Sequence, residues 1–371
     1  SVSHSFAFRN PFPDAMQVAV ALREVTAEGL EGVAQLEESL VRVVGEFFQR
    51  TSLEDVLQRF TEQQGAIEGL GGIDASPLPP HASEAVTARV EALVDELYSE
   101  GEYAGFTLGD EGRDRIAAVA SHAGDLPAAC SEATYGEIRP TGVARVLAAA
   151  ETGPGDVVVD LGSGVGRMVL QAALQFNASA ALGVELAEER HASACAALRL
   201  LSRAVGAERG GDGAGAGEDM SEGARRVAML RGDITTADLG PTPPTVAFLN
   251  SLCFRPGLMM VMEARLLRDL PEGAKVISVR QFPSHVAAIH ADLASQTDLS
   301  PQLLQEQSNA PRDREARLAR ALWARLGRRL VPWKVVQAPM GWTEEGMPVF
   351  LYRVAALTAD ERAAFAGGGA G

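Results

Sequence analysis

The stretch Val157–Arg167, with the sequence VVVDLGSGVGR, constrains the fold of this chain more than any other part. Its valines predict a buried strand, which ends at Asp160 and is followed by a glycine-rich turn that opens into a helix. The backbone of such a turn can bend tightly and lie against a ligand where a Cβ atom would clash. The three alternating glycines are Gly162, Gly164 and Gly166. Because such a turn belongs at the carboxyl edge of a parallel sheet, the pattern predicts an α/β fold with a ligand site at that edge.

The position of Asp160 separates two kinds of ligand. In a dinucleotide-binding G-x-G-x-x-G turn the third glycine comes one residue later, and the pyrophosphate binds N–H groups that a nearby carboxylate would oppose. A cofactor with a cation at its near end suits this carboxylate better. S-adenosyl-L-methionine carries both an ammonium and a sulfonium, so it is the predicted cofactor. An ordinary strand-to-helix turn is the structural alternative.

Strands and helices alternate from about residue 131, which is typical of a parallel sheet. Five parallel strands and a final hairpin predict a Rossmann-like class I methyltransferase sheet. The predicted strands are 157–159, 179–185, 227–230, 246–249, 276–279, 330–338 and 347–354. The predicted helices within or next to this sheet are 83–99, 141–150, 167–176, 191–203 and 256–270.

Polar residues stand where four of the predicted parallel strands end: Asp160, Glu185, Asp233 and Asn250. In open α/β sheets the ligand binds beyond these ends, so we expect the four side chains to form one cofactor site. Glu185 would accept hydrogen bonds from both ribose hydroxyls. Asp233 would meet the adenine amino group, and Ile234 would pack on the adenine ring. Each acid taken by itself is also a common helix N-cap.

Length and charge predict two parts with different character. A mostly α-helical, acidic N-terminal region would span 1–125, and the methyltransferase domain 126–358 would contain a flexible insertion at 204–224 and precede a disordered tail at 359–371. The net charge is −16, and residues 1–110 hold 19 acids against 6 bases, which is a net of −13. The acidic side chains are either a solvated helix face or a docking surface for a basic partner.

Short motifs in a fixed order resemble one family of enzymes. The motifs are Tyr135-Gly136-Glu137, DLGSGVG, Gly183-Val184-Glu185, Gly232-Asp233, Asn250, Trp342-Thr343 and Pro348-Val349. This set is similar to the non-SET histone lysine methyltransferases of the disruptor-of-telomeric-silencing (Dot-one) type, over roughly residues 130–355. The N-terminal region resembles that family only in being mostly helical.

The resemblance implies an S-adenosylmethionine-dependent protein-lysine N-methyltransferase that methylates a nucleosomal core histone in the nucleus, although a cytoplasmic location is also open. It assigns the loop over the cofactor to Tyr135, Gly136 and Glu137, and the methionine end to Asp160, Gly162 and Gly164. It assigns the ribose to Glu185, the adenine to Asp233, the methyl-transfer centre to Asn250, and a wall of the lysine channel to Trp342. Further candidates for aromatic walls of the substrate site are Tyr135, Phe254 and Phe282.

The chain departs from the family pattern mainly near the substrate channel. Ser251 follows Asn250 where the family usually has a second asparagine, and Arg167 stands where it has glutamine. The other departures are Ile138, Arg280 and Leu351. These departures leave two alternative functions: a methyltransferase with a non-histone protein or small-molecule substrate, and an inactive cofactor-binding scaffold.

The segment Arg312–Arg329 carries seven arginines against two acids in an otherwise acidic protein. The arginines recur beside leucines at a helical spacing, which predicts an amphipathic basic helix. This helix would either be solvated, pairing with the acidic N-terminal region, or contact nucleosomal DNA or another polyanion.

Other classes of protein are disfavoured by what the sequence lacks. No run approaches the roughly 20 apolar residues of a membrane span. The three cysteines are widely spaced without a C-x-x-C pair, which indicates a reducing compartment and no structural metal site. The cysteines are Cys130, Cys195 and Cys253.

Overall fold

The structure is a computed structural model, and it describes residues 67–99, 137–208, 223, 225–252, 254, 256–282, 284–285, 323–341 and 343–367. The helices are α1 Glu84–Ser99, α2 Pro140–Ala149, α3 Arg167–Gln175, α4 Glu188–Glu208, α5 Pro256–Asp269 and α6 Ala359–Gly367. The strands are β1 Val157–Leu161, β2 Ala180–Glu185, β3 Val227–Arg231, β4 Val246–Leu249, β5 Lys275–Ser278, β6 Arg328–Met340 and β7 Thr343–Ala356. Among the described helices, none is long and apolar enough to cross a membrane.

The seven strands form one sheet in the order β3-β2-β1-β4-β5-β7-β6. The first five strands are parallel, and β7 runs antiparallel to both β5 and β6. This confirms the predicted five parallel strands followed by a hairpin. The chain moves outward from β1 to β3 and then returns to place β4 on the other side of β1. A crevice therefore opens at the carboxyl ends of β1 and β4, where ligands of open α/β sheets bind.

Both faces of the sheet are covered by apolar side chains. Along β1, Val158 packs in one core with helices α1 to α3, whereas Val159 and Leu161 pack in a second core with α5. Helix α1 lies in the predicted acidic N-terminal region, yet its Val94 and Leu97 are buried in the first core. The first part of the described chain is therefore packed against the sheet. The predicted boundary near residue 125 lies outside the described residues.

Two predicted segment ends are wrong. The insertion predicted at 204–224 begins too early, because α4 continues to Glu208. The tail predicted as disordered at 359–371 contains helix α6. Thr358 and Glu361 form its capping box: the Glu361 N–H donates to the Thr358 hydroxyl at 3.2 Å, and the Thr358 N–H donates to the Glu361 carboxylate at 2.9 Å. This T-x-x-E signal was present in the sequence.

The basic helix predicted over Arg312–Arg329 is wrong at its C-terminal end. Gly327 adopts a φ of 67°, which ends the short helical turn 323–326, and β6 begins at the next residue. Arg328 donates to the carbonyl of Leu270 at 2.8 Å, and Arg329 forms an ion pair with Glu361 at 2.7 Å. The side chains of these two arginines therefore make contacts within the fold. Residues 312–322 lie outside the described residues.

A buried carboxylate joins α5 to two distant parts of the chain. Glu263 is 0% exposed, and its Oε1 accepts hydrogen bonds from the Ser284 hydroxyl at 2.5 Å and from the Trp323 indole N–H at 2.9 Å. Burial raises the pKa of Glu263 to about 7, although these hydrogen bonds act in the opposite direction. Ser284 and Trp323 lie on either side of the stretch 286–322, so its two ends are held at one carboxylate.

Candidate functional site

Asp160 is a buried acid near the carboxyl end of β1. The residue is 3% exposed, and its Oδ1 has no hydrogen-bond partner among the described residues. Burial, with the nearby negative charge of Glu185 as a lesser cause, raises the pKa of Asp160 to about 8. An isolated buried carboxylate is costly unless a cation or a donor meets it. The site therefore suits a ligand that brings a positive charge.

The glycine turn after β1 leaves room beside this acid. The N–H groups of Gly162 and Ser163 donate to the Val184 carbonyl of β2 at 2.9 and 3.0 Å, which fixes the turn to the neighbouring strand. Gly162 has a φ of 97°, and no described heavy atom lies within 4 Å of where its Cβ would be. A ligand can thus approach the backbone closely at this residue.

Glu185 at the end of β2 holds the turn from the other side. Its Oε2 accepts the Gly164 N–H and its Oε1 accepts the Ala187 N–H, both at 2.8 Å. Glu185 is 5% exposed, and its carboxylate connects the glycine turn to the chain that enters α4. Each carboxylate oxygen has a second acceptor site, so these bonds are compatible with further donors. The predicted contact with ribose stays a prediction.

The close contact between Gly183 and the turn can be tested by substitution. A Cβ at Gly183 would lie 2.7 Å from the Ser163 Oγ, 2.9 Å from its Cβ and 3.0 Å from the Met229 Sδ. We expect Gly183→Ala to lower the free energy of unfolding by about 1–3 kcal/mol, because β2 and the turn must separate. Denaturant unfolding measures this change.

Gly153→Ala is the matched control, since no described heavy atom lies within 4 Å of a Cβ at Gly153. It should change the free energy of unfolding by less than about 0.5 kcal/mol. Equal destabilisation by the two substitutions would contradict the close contact at Gly183.

Asp233 forms a tight turn directly after β3. Its Oδ1 accepts the Thr235 N–H at 2.8 Å, and its backbone carbonyl accepts the Ala237 N–H at 2.8 Å. The side chain thus shapes its own loop at the same edge of the sheet as Asp160 and Glu185. Its predicted contact with adenine stays a prediction.

Arg265 of α5 positions this turn and was not found from the sequence. Arg265 is 3% exposed, and its guanidinium donates to the carbonyls of Ile234 and Ala237. It also pairs with Asp269 at 3.1 Å on the same helix. An arginine four residues before an acid is a common surface pattern, so nothing in the sequence distinguished this buried arginine.

Asn250 and Ser251 follow β4, across the crevice from β1. Asn250 is half-buried, whereas Ser251 is fully buried. The Ser251 hydroxyl lies 2.7 Å from that of Ser278 and accepts the Arg280 N–H at 3.0 Å. Where the family pattern has a second asparagine, this chain therefore uses a small hydroxyl to join the ends of β4 and β5.

Two of the predicted channel positions belong to the apolar core. Phe282 is 0% exposed and packs edge-on against Tyr352 at a centroid distance of 5.3 Å, so its prediction as a wall of the substrate site is wrong. Leu351 on β7 is also 0% exposed and lies in the first core. Phe254 is half-buried and packs beside the second core.

Of the predicted loop over the cofactor, Glu137 is described, whereas Tyr135, Gly136 and Trp342 lie outside the described residues. The backbone carbonyl of Glu137 accepts the Gly341 N–H at 2.7 Å, and its carboxylate lies 3.7 Å from the Arg167 Nε. The structure thus joins the end of the YGE motif to the residue that precedes Trp342 in the sequence.

In the described part of the chain, no group of three or more His, Cys, Asp or Glu residues could hold a metal ion.

Parts of this chain are similar to known proteins. The family model of the Histone methylation protein DOT1 matches residues 117–207. The "Histone-lysine N-methyltransferase, H3 lysine-79 specific" of Cryptococcus neoformans is 34% identical over 154 residues, which are 41% of this chain and 22% of that protein. A "Protein-lysine N-methyltransferase" of Saccharolobus islandicus is 26% identical over 136 residues, 37% of this chain and 69% of that protein.

Among solved structures, an RNA methyltransferase from Salinibacter ruber in complex with S-adenosyl-L-homocysteine has 27% identity and a TM-score of 0.27, covering 37% of this chain and 72% of that one. The chain spans less than a quarter of the length of the H3 lysine-79 specific relatives that it matches. The matched family segment contains the glycine turn, β2 with Glu185 and nearly all of α4. Over this segment the chain is similar to the DOT1 family of histone methylation proteins.

Proposed function

We propose that this protein is an S-adenosylmethionine-dependent protein-lysine N-methyltransferase that acts on a core histone within the nucleosome. The observation that carries the proposal is the buried Asp160 at the crevice between β1 and β4, whose Oδ1 has no hydrogen-bond partner among the described residues. A carboxylate there suits the cationic methionine end of the cofactor. The open backbone at Gly162 supports the same cofactor, because a bulky ligand can lie against it.

Different residues of the chain would then bind different parts of the cofactor. Asp160, Gly162 and Gly164 would hold the methionine end, Glu185 the ribose, and Asp233 with Ile234 the adenine. Tyr135, Gly136 and Glu137 would cover the cofactor. When bound, the cofactor would supply its sulfonium-borne methyl group to a neutral amine, and S-adenosylhomocysteine would be the leaving group.

Such a displacement requires positioning and exclusion of water more than acid–base chemistry. Asn250 would orient the reacting amine from the β4 side of the crevice. Tyr135 and Trp342 would wall the lysine channel. We therefore propose these three residues as the substrate-facing set.

The histone substrate is supported by the chain's similarity to H3 lysine-79 specific methyltransferases and by the arginine-rich segment. Arg325, which is exposed, belongs to that segment, whereas Arg328 and Arg329 serve the fold. Contact between the remaining arginines and nucleosomal DNA would bring the enzyme to chromatin, and a nuclear location would follow.

Transfer of a labelled methyl group tests the proposal. We expect recombinant nucleosomes to be labelled on histone lysine, and Asp160→Asn to reduce labelling by at least about 100-fold because the cofactor's cation loses its counter-charge. Scintillation counting and mass spectrometry of the histone peptides measure the result.

Glu151→Gln is the matched control. Glu151 lies in the turn before β1, at the amino ends of the parallel strands, and its side chain is 60% exposed. It should label nucleosomes as the unchanged protein does. Cofactor binding without methyl transfer to nucleosomes or to any protein of a cell extract would refute the proposed enzymatic activity and favour an inactive cofactor-binding scaffold.

A second candidate is a methyltransferase of the same family with a different protein substrate. It is favoured by the replacement of the second asparagine by Ser251, whose hydroxyl is committed to Ser278 and the Arg280 N–H. The Saccharolobus islandicus relative bears the broader name of a protein-lysine methyltransferase. Labelling of a non-histone band in extract, with nucleosomes unlabelled, would identify this alternative.

A further inference from the structure

Helix α1 contacts the glycine turn directly, although it lies far earlier in the sequence. The hydroxyl of Tyr98, near the end of α1, donates a hydrogen bond of 2.5 Å to the carbonyl of Val165. Val165 stands between two glycines of the turn and is 0% exposed. It precedes Gly166, the N-cap of α3, so its carbonyl comes before the hydrogen-bonded part of that helix. A side chain from another element supplies its donor.

The same helix also holds the first residue after the turn. Arg167 places its guanidinium 4.6 Å from the ring centroid of Tyr98 and its Nη1 2.5 Å from the Asp95 Oδ1. Asp95 and Tyr98 are three residues apart, so they present one face of α1. Residues 165–167 are thus contacted by two side chains of this face.

The charge of Arg167 gives these contacts an electrostatic role. A cation in the first turn of a helix is unfavourable, because it meets the positive end of the helix dipole. Asp95 compensates it, and Glu137 approaches it at 3.7 Å from the other side. Arg167 therefore links α1, the end of the YGE motif and the glycine turn.

We propose that Asp95 and Tyr98 are positioning residues that hold the glycine turn in its cofactor-binding conformation. The N-terminal part of the chain is then a component of the cofactor site. The inference rests on the proposed cofactor. Its physical basis is preorganisation: a turn fixed before the ligand arrives loses less conformational freedom on binding. Val94 and Leu97 anchor α1 in the core, so the donor at Tyr98 is itself held in place.

Tyr98→Phe removes the donor and keeps the ring. We expect the Kd for S-adenosylhomocysteine to rise by about threefold to tenfold, because an intramolecular hydrogen bond contributes a free energy of that order. The KM for S-adenosylmethionine should rise by the same factor while kcat stays within about twofold. Calorimetry and initial rates measure the two effects.

Tyr352→Phe is the matched control. Tyr352 is also buried, its hydroxyl is hydrogen-bonded to the backbone of Phe282, and it lies in the second core. Both substitutions should lower Tm by a similar amount, and only Tyr98→Phe should change the Kd. Asp95→Asn should raise the Kd by about twofold to threefold with little change in Tm, because exposed ion pairs contribute little to stability.

The outcomes separate the two proposals. If the unchanged protein binds neither S-adenosylmethionine nor S-adenosylhomocysteine, the proposed function fails. If it binds them and Tyr98→Phe lowers Tm with an unchanged Kd, as Tyr352→Phe does, Tyr98 is only structural and the inference is overturned.

Discussion

Replacing Asp160 by asparagine is expected to make the protein more stable without cofactor and unable to bind it. The pKa of Asp160 is raised to about 8 in the folded state from 3.8, chiefly by burial, so folding at neutral pH requires the uptake of a proton. Avoiding this uptake should stabilise the variant on the order of 3 kcal/mol at pH 7. That corresponds to a rise in Tm of roughly 6–12 °C.

The pH dependence follows from the direction of the shift. The unchanged protein is fully stabilised below the pKa of its unfolded chain and loses that stability as pH rises through about 8. The two proteins should therefore have equal Tm near pH 3.5, and the difference should grow up to about pH 8. Differential scanning calorimetry across this range measures it, and a difference that is independent of pH would contradict the raised pKa.

Proton release on binding provides a second measurement on the same residue. A cationic ligand requires the carboxylate form of Asp160, so binding at pH 7 should release close to one proton, and binding above pH 9 should release almost none. Calorimetry in buffers with different enthalpies of ionisation detects the proton. In Asp160→Asn both the binding heat and the proton release should be lost.

Glu185→Gln is the same chemical change on the adjacent strand and should have the opposite effect on stability. Both carboxylate oxygens of Glu185 accept backbone N–H groups, from Gly164 and from Ala187. The amide nitrogen of glutamine must face one of these donors, which leaves a buried N–H unpaired. We expect a loss of about 2 kcal/mol in the free energy of unfolding and a rise of at least about tenfold in the Kd for S-adenosylhomocysteine.

The two substitutions serve as controls for each other. Both remove one potential negative charge from the same crevice, so a general charge effect would move Tm in the same direction in both variants. Opposite shifts of Tm with binding lost in both would show that Asp160 is held for a ligand and Glu185 for the backbone. Denaturant unfolding and calorimetry of the paired variants make the comparison.

The sheet could be predicted because its signals are local. Short apolar runs that end in a polar residue identified β1 to β5, and the bounds differ from the structure by one residue or so at most ends. The lengths of the hairpin strands were underestimated. Strand β6 begins at Arg328, two residues before its predicted start, and ends at Met340, two residues after its predicted end. An arginine reads as solvated in a pattern of hydropathy, whereas here its guanidinium reaches the Leu270 carbonyl.

The site was only partly accessible from the sequence. Asp160 and Glu185 could be located because parallel strands end at one edge. The difference in their hydrogen bonding could not be predicted, since it depends on which backbone N–H groups turn toward each carboxylate. Arg265 and Tyr98 act on the site from other elements, and only tertiary packing brings them to it. Phe282 shows the reverse error, because an aromatic near the site belongs to the core.

The buried Glu263 has a consequence for how this fold tolerates change in length. Its carboxylate holds Ser284 and Trp323, and the rings of His285 and Trp323 lie 5.7 Å apart. The chain therefore leaves the sheet and returns to it at nearly the same point. Lengthening a loop with fixed ends costs little, because the closure entropy grows only with the logarithm of its length. A change in chain length between His285 and Trp323 is therefore compatible with the contacts of Glu263 and with the crevice at the ends of β1 and β4.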